Sequence, residues 1–93
     1  MQGGEKTAQF SYFLFLKAKR MMMSGVAPEE TLEAINKALE IQEELEKASP
    51  KQSAQLGRYY YFQGTVYQGL EKLAEKQTSF KKAYEILQNY PEF

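Results

Sequence analysis

Two carboxylate clusters, Glu29-Glu30-Glu33 and Glu43-Glu44-Glu46, and seven tyrosines are the side chains of this chain that could do chemistry. Paired carboxylates can serve general acid–base catalysis, and a tyrosine can move a proton or stack on a base. A catalytic pair needs a pocket that drives its two pKa values apart, and nothing in these residues argues for one. Glutamates recurring along an amphipathic helix are expected on its solvated face. Cysteine and histidine are both absent. That removes thiolate nucleophiles, imidazole bases, disulfides and Cys/His zinc sites together. Gly57, Gly64 and Gly69 are spread within one helical segment, so they form no phosphate loop. The expectation is no catalytic residue, no cofactor, no metal site and no enzyme.

The charge balance narrows the partners. Twelve basic and twelve acidic residues leave a formal net charge of zero, so non-specific binding to nucleic acid or an anionic membrane has no global support. The tyrosines could stack single-stranded bases with Arg58, Lys72, Lys76, Lys81 and Lys82 on the phosphates. Those cations alternate with Glu71, Glu75 and Glu85, which disfavours nucleic acid. The apolar stretch Phe10 to Leu16, between Glu5-Lys6 and Lys17, is too short to span a bilayer. It also lacks the basic start and small-residue cleavage site of a secretory signal. A soluble, cytoplasmic protein with no membrane span is expected.

Helix punctuation supplies the elements that must position any site. Ser24-Gly25 ends a first helix, because Gly takes the left-handed conformation at a helix C-terminus, and Pro28 followed by Glu29-Glu30 starts a second. Ser49-Pro50-Lys51-Gln52 reads as an N-cap, a first-turn proline and a capping-box Gln, starting a third helix that ends near Gly69. A fourth runs from Leu73 until Pro91 closes it. The apolar positions assign Phe10, Phe13, Leu14, Met21 and Met22 to the core in the first helix, bridged by Ala18. The second contributes Leu32, Ile35, Leu39 and Gln42, widened by Ala38, Ile41 and Leu45, and the fourth Leu73, Phe80, Ala83, Tyr84 and Leu87. Glu33/Lys37 and Glu43/Lys47 have the spacing of surface ion pairs.

The chain repeats itself. Ile35-Asn36-Lys37-Ala38-Leu39-Glu40-Ile41 returns 45 residues on as Phe80-Lys81-Lys82-Ala83-Tyr84-Glu85-Ile86. Helical units of this length stack into solenoids, which generally bind other macromolecules. The first and third helices carry more apolar surface than such a stack needs. Tyr12, Phe15, Leu16 and Met23 lie off the main stripe of the first, and Tyr59-Tyr60-Tyr61-Phe62 surrounds the third. A terminal helix cannot be covered on both sides from within, so part of the first is expected to meet another chain, a second copy or a further segment.

Gln55 to Leu87 resembles a tetratricopeptide repeat, a helix-turn-helix unit of about 34 residues. Tyr60, Gly64, Tyr67, Phe80 and Ala83 fall on the family's packing positions, while Gln63 and Lys76 depart from its Leu and Ala. A first copy, about Tyr12 to Leu45, matches Ile35 and Ala38 but has Lys19 where the close-packing Gly would be; a second helix reaching Ala48 would absorb its extra length. The resemblance implies an all-α fold of four antiparallel helices as two stacked helix-turn-helix units in one domain over 1–93, repeat one about 12–48 and repeat two about 53–90. It also implies a concave groove lined by the first helix of each unit, at Phe13, Leu16, Arg20 and Met23 in one and Arg58, Tyr61, Thr65 and Gln68 in the other. Thr65 stands where chaperone-tail binders carry Asn, which disfavours that ligand. The expected function is a non-catalytic protein–protein interaction module holding a peptide or helix of a partner protein in that groove. The alternative is a structural bundle that self-associates as a homodimer with no external ligand.

Overall fold

The computed structural model describes residues 7–91; Glu5 and Lys6 lie outside them. The first described helix starts where a hydroxyl can close its end. Thr7 accepts a hydrogen bond from the Phe10 N–H at 3.1 Å, and α1 (Ala8–Met23) follows. It stops on a full Schellman motif, with Gly25 at φ +79°; the Val26 N–H donates to the Met21 carbonyl at 3.0 Å and Gly25 to Met22 at 3.3 Å. Pro28 opens α2 (Pro28–Leu45), as its fixed φ and missing N–H favour. The last helices are α3 (Ala54–Gly69) and α4 (Leu73–Leu87). No strand occurs among the described residues. The fold is all-α, with α1 packed on α2, α2 on α3 and α3 on α4.

Two boundaries depart from expectation, while α3 ends at Gly69 as expected. The Ser49-Pro50 signal does not start α3; Ser53 does, its hydroxyl accepting from the Leu56 N–H at 3.2 Å. Glu46 decides this. Its carboxylate accepts from the Ser53 N–H at 2.8 Å, from the Ser53 hydroxyl, and from Gln42 Nε2 at 2.6 Å. Ser49 and Pro50 instead lie in the connection that Glu46 clamps. Because α2 ends at Leu45, the extra length of the first unit sits in this connection and not in a helix reaching Ala48. At the end of α3, Glu71 rather than a glycine takes the left-handed position, at φ 59°. Its Schellman bonds form regardless, with the Lys72 N–H on the Tyr67 carbonyl at 3.0 Å.

The core runs through Leu14, Ala18, Ile35, Ala38, Leu39, Ile41, Leu56, Tyr59, Tyr60, Ala83 and Ile86. Small residues set the helix spacing. Ser11 and Ala18 are fully buried and let α1 lie close on α2. Gly57 and Gly64 do the same for α4: a Cβ at Gly64 would sit 2.5 Å from the Phe80 ring, and one at Gly57 2.8 Å from Leu87 Cγ. That close approach leaves several assigned core residues outside. Phe13, Met22, Leu45, Leu73 and Tyr84 are exposed, because the buried stripe passes through Ser11 and Ala18 in α1, and through Ser79, Ala83 and Ile86 in α4. Lys47 pairs with Glu44 at 3.6 Å rather than with Glu43.

Polar groups inside are all used. The Ser11 hydroxyl donates to Gln42 Oε1 at 2.7 Å, and Gln42 passes the chain on to Glu46 and Ser53. Gln63 bridges three helices, donating to Asn36 Oδ1 at 2.7 Å and accepting from the Ser79 hydroxyl at 2.7 Å. Among the described residues no buried side-chain polar atom lacks a partner, as a settled interior requires.

Candidate functional site

Helix register determines which side chains can act together. The N-caps Thr7 and Ser53 are 46 residues apart, and so are the ends of α1 and α3, the left-handed Gly25 and Glu71, and the small pairs Ser11/Ala18 and Gly57/Gly64. The α2 and α4 pairs Ala38/Ala83 and Ile41/Ile86 are 45 apart. The difference is one residue in the inter-helix turn, four residues after α1 and three after α3. One residue is about 100° of rotation on a helix. The positions in α1 equivalent to Arg58, Tyr61, Thr65 and Gln68 are therefore Tyr12, Phe15, Lys19 and Met22.

Between α1 and α3 the space is filled by aromatics. Phe15 lies against Tyr59 at 4.8 Å between ring centroids and edge-on to Phe62 at 5.7 Å. Tyr12 flanks it at 6.2 Å, and Lys19 Nζ stands 5.3 Å over its ring. These contacts join the two units side by side.

The eight groove residues divide between two opposite surfaces and the helix exteriors. Phe13, Leu16 and Arg20 line one concavity of about 490 Å³ with Lys17, Met21, Ser24 and Val26. Phe13 is two residues, and so about 200° around the axis, from Phe15; this trough lies on the face of α1 turned away from α3. Tyr61 lines a second concavity of about 430 Å³ with Phe80, Tyr84, Leu87, Tyr90 and Pro91. Its ring lies 5.2 Å from Phe80, on the face of α3 turned away from α1. Arg58 and Gln68 are exposed outside both, with Arg58 Nη1 reaching Gln55 Oε1 at 3.4 Å. Thr65 is half-buried and donates to the Tyr61 carbonyl at 3.1 Å. Met23 is 83% exposed at the end of α1.

Val26, Tyr84 and Tyr90 line these surfaces without having been singled out for them. Tyr84 was the readable one, since it is the Leu39 of the second unit and no third unit stands beside it among the described residues. The carboxylates offer no paired site: Glu29, Glu30, Glu33, Glu43 and Glu44 are exposed, and Glu46 is bound to Ser53 and Gln42. Burial pushes the Tyr59 phenol above its usual range, against hydrogen bonds with Ser11 and Gln55 that pull the other way. No cluster of three or more acidic side chains that could hold a metal occurs among the described residues. No described helix is long and apolar enough to cross a membrane. Comparison with protein-family models, curated proteins and solved structures gives no match for this chain.

Proposed function

We propose that the chain is a non-catalytic protein–protein interaction module of tetratricopeptide type, acting in the cytoplasm and binding a peptide or helix of a protein partner on the surfaces of α1 and α3. The observation that carries this reading is where the apolar excess sits. Of the nine exposed large apolar side chains among the described residues, five (Tyr12, Phe13, Leu16, Met22 and Met23) are on α1, and Tyr61 is on α3. Apolar surface gathered on one helix is the usual mark of a contact with another protein. Arg20 and Arg58 add cations for a partner carboxylate. The experiment is capture by the immobilised chain, compared with Phe13→Glu, Tyr61→Ala and Arg58→Glu. Loss of a specific protein with these variants is expected; equal recovery with all three overturns the reading. A second reading, self-association, is supported by the apolar concavity on α3 and α4; its lining differs from that on α1, so the two suit a head-to-tail contact and not the closed homodimer.

A further inference from the structure

The junction between the two units is written again, exposed, at each end of the described four helices. At that junction α1 and α2 present Phe15, Leu39 and Asn36, while α3 receives them. Phe15 packs on Tyr59 and Phe62, Leu39 is buried beside Tyr60 and Gln63, and Asn36 bonds Gln63 at 2.7 Å. The 46- and 45-residue registers place Tyr61, Tyr84 and Lys81 of α3 and α4 in the presenting positions. The same registers place Phe13, Leu16 and Lys17 of α1 in the receiving positions of Tyr59, Phe62 and Gln63. All four apolar counterparts are exposed: Tyr61 59%, Tyr84 69%, Phe13 58% and Leu16 40%. Of their inner equivalents, Tyr59 and Leu39 are buried, at 0% and 4%, and Phe15 and Phe62 are half-buried.

We infer that the occupant of both faces is a second copy of this chain: the α3–α4 end of one molecule seats on the α1 end of the next and continues the internal junction. This rests on the self-associating reading and gives it an open, head-to-tail form. The two faces differ, so the joint is heterologous, and each added molecule leaves a free face for another. Tyr61 and Tyr84 against Phe13 and Leu16 form the apolar centre, of the residue types that anchor interfaces. One pair works against it. Lys81 meets Lys17 where Asn36 and Gln63 share a hydrogen bond, so the joint between molecules is weaker than the junction within one.

Sedimentation velocity from about 10 μM to about 1 mM tests this on the full chain. The wild type should grow past a dimer with concentration. Phe13→Glu and Tyr61→Glu, both at well-exposed positions, should keep wild-type helix content by circular dichroism while weakening association by about 30-fold or more. Mixed together they should form a one-to-one pair that grows no further, since one intact face remains on each. The double variant Lys17→Gln/Lys81→Asn rebuilds the inner hydrogen-bonding pair and should tighten association by about fivefold. Monomers throughout in both the wild type and the double variant overturn the inference, as does growth undiminished in either Glu variant or a mixture that stays monomeric. A monomer leaves the interaction-module reading standing, which falls only on the capture result.

Discussion

Adding one methyl group at Gly64 tests the helix spacing on which the fold and its surfaces depend. A Cβ there would lie 2.5 Å from two carbons of the Phe80 ring and 3.1 Å from a third, far inside van der Waals contact. The ring can retreat only toward the concavity it lines with Tyr61, whose ring lies 5.2 Å away. Overpacking of this kind costs about 1–3 kcal/mol, and replacing a helical Gly with Ala returns about 1 kcal/mol. Gly64→Ala should therefore lose up to about 2 kcal/mol net. Gly69, at the end of the same helix, has nothing within 4 Å of its Cβ position, so Gly69→Ala should gain about 0.5–1 kcal/mol. Gly57 falls between them, since its clash is with the flexible Leu87 side chain. Urea titrations read the three midpoints at constant slope, and each kcal/mol moves the thermal midpoint by about 4–8 °C at this size. Gly64→Ala as stable as Gly69→Ala would refute the close approach of α3 and α4.

Three further outcomes follow from local geometry. Glu71 holds a left-handed conformation at φ 59°, so Glu71→Gly should stabilise by about 0.5–1 kcal/mol in thermal denaturation, the relieved strain less the added chain entropy. Glu46→Ala removes the acceptor of two bonds from Ser53 and one from Gln42; a loss of about 2 kcal/mol is expected, with faster hydrogen exchange at the Ser53 amide, and unchanged exchange there would refute the clamp. The Tyr59 phenol is raised above 10.0 by burial, so its contribution is complete below pH 10 and is lost as pH climbs through the folded-state value, where the unfolded chain ionises first. Tyr59→Phe should flatten that alkaline decline in urea titrations, and an identical decline in both proteins would contradict it.

Much of the fold was legible because its signals are local. Gly25 and Pro28 ended and began helices where their backbone preferences require, and Gly64, on a packing position of the repeat pattern, falls at a close helix contact. The start of α3 was not legible. Ser49-Pro50 and Ser53 are both good caps, and the choice was made by Glu46, which meets Ser53 only after the connection has turned. The faces of α1 were misread for a related reason. The repeat was aligned on Ile35 to Ile41 and Phe80 to Ile86, in the second helices, and a turn longer by one residue rotates the first helix by about 100° against that alignment. Ser11 and Ala18 carried the true register, but small residues give little hydrophobic signal. Gln63, a departure from the tetratricopeptide pattern, has its explanation in Asn36 and Ser79.

The claim that the molecule carries two complementary binding ends is tested most directly by a dilution series of amide spectra of the labelled chain. Concentration-dependent shifts are expected in two sets at once, around Phe13, Leu16 and Arg20 on α1 and around Tyr61, Phe80 and Tyr84 on α3 and α4. Shifts at one set alone would mean a closed pair of like faces, and shifts at neither would contradict the account.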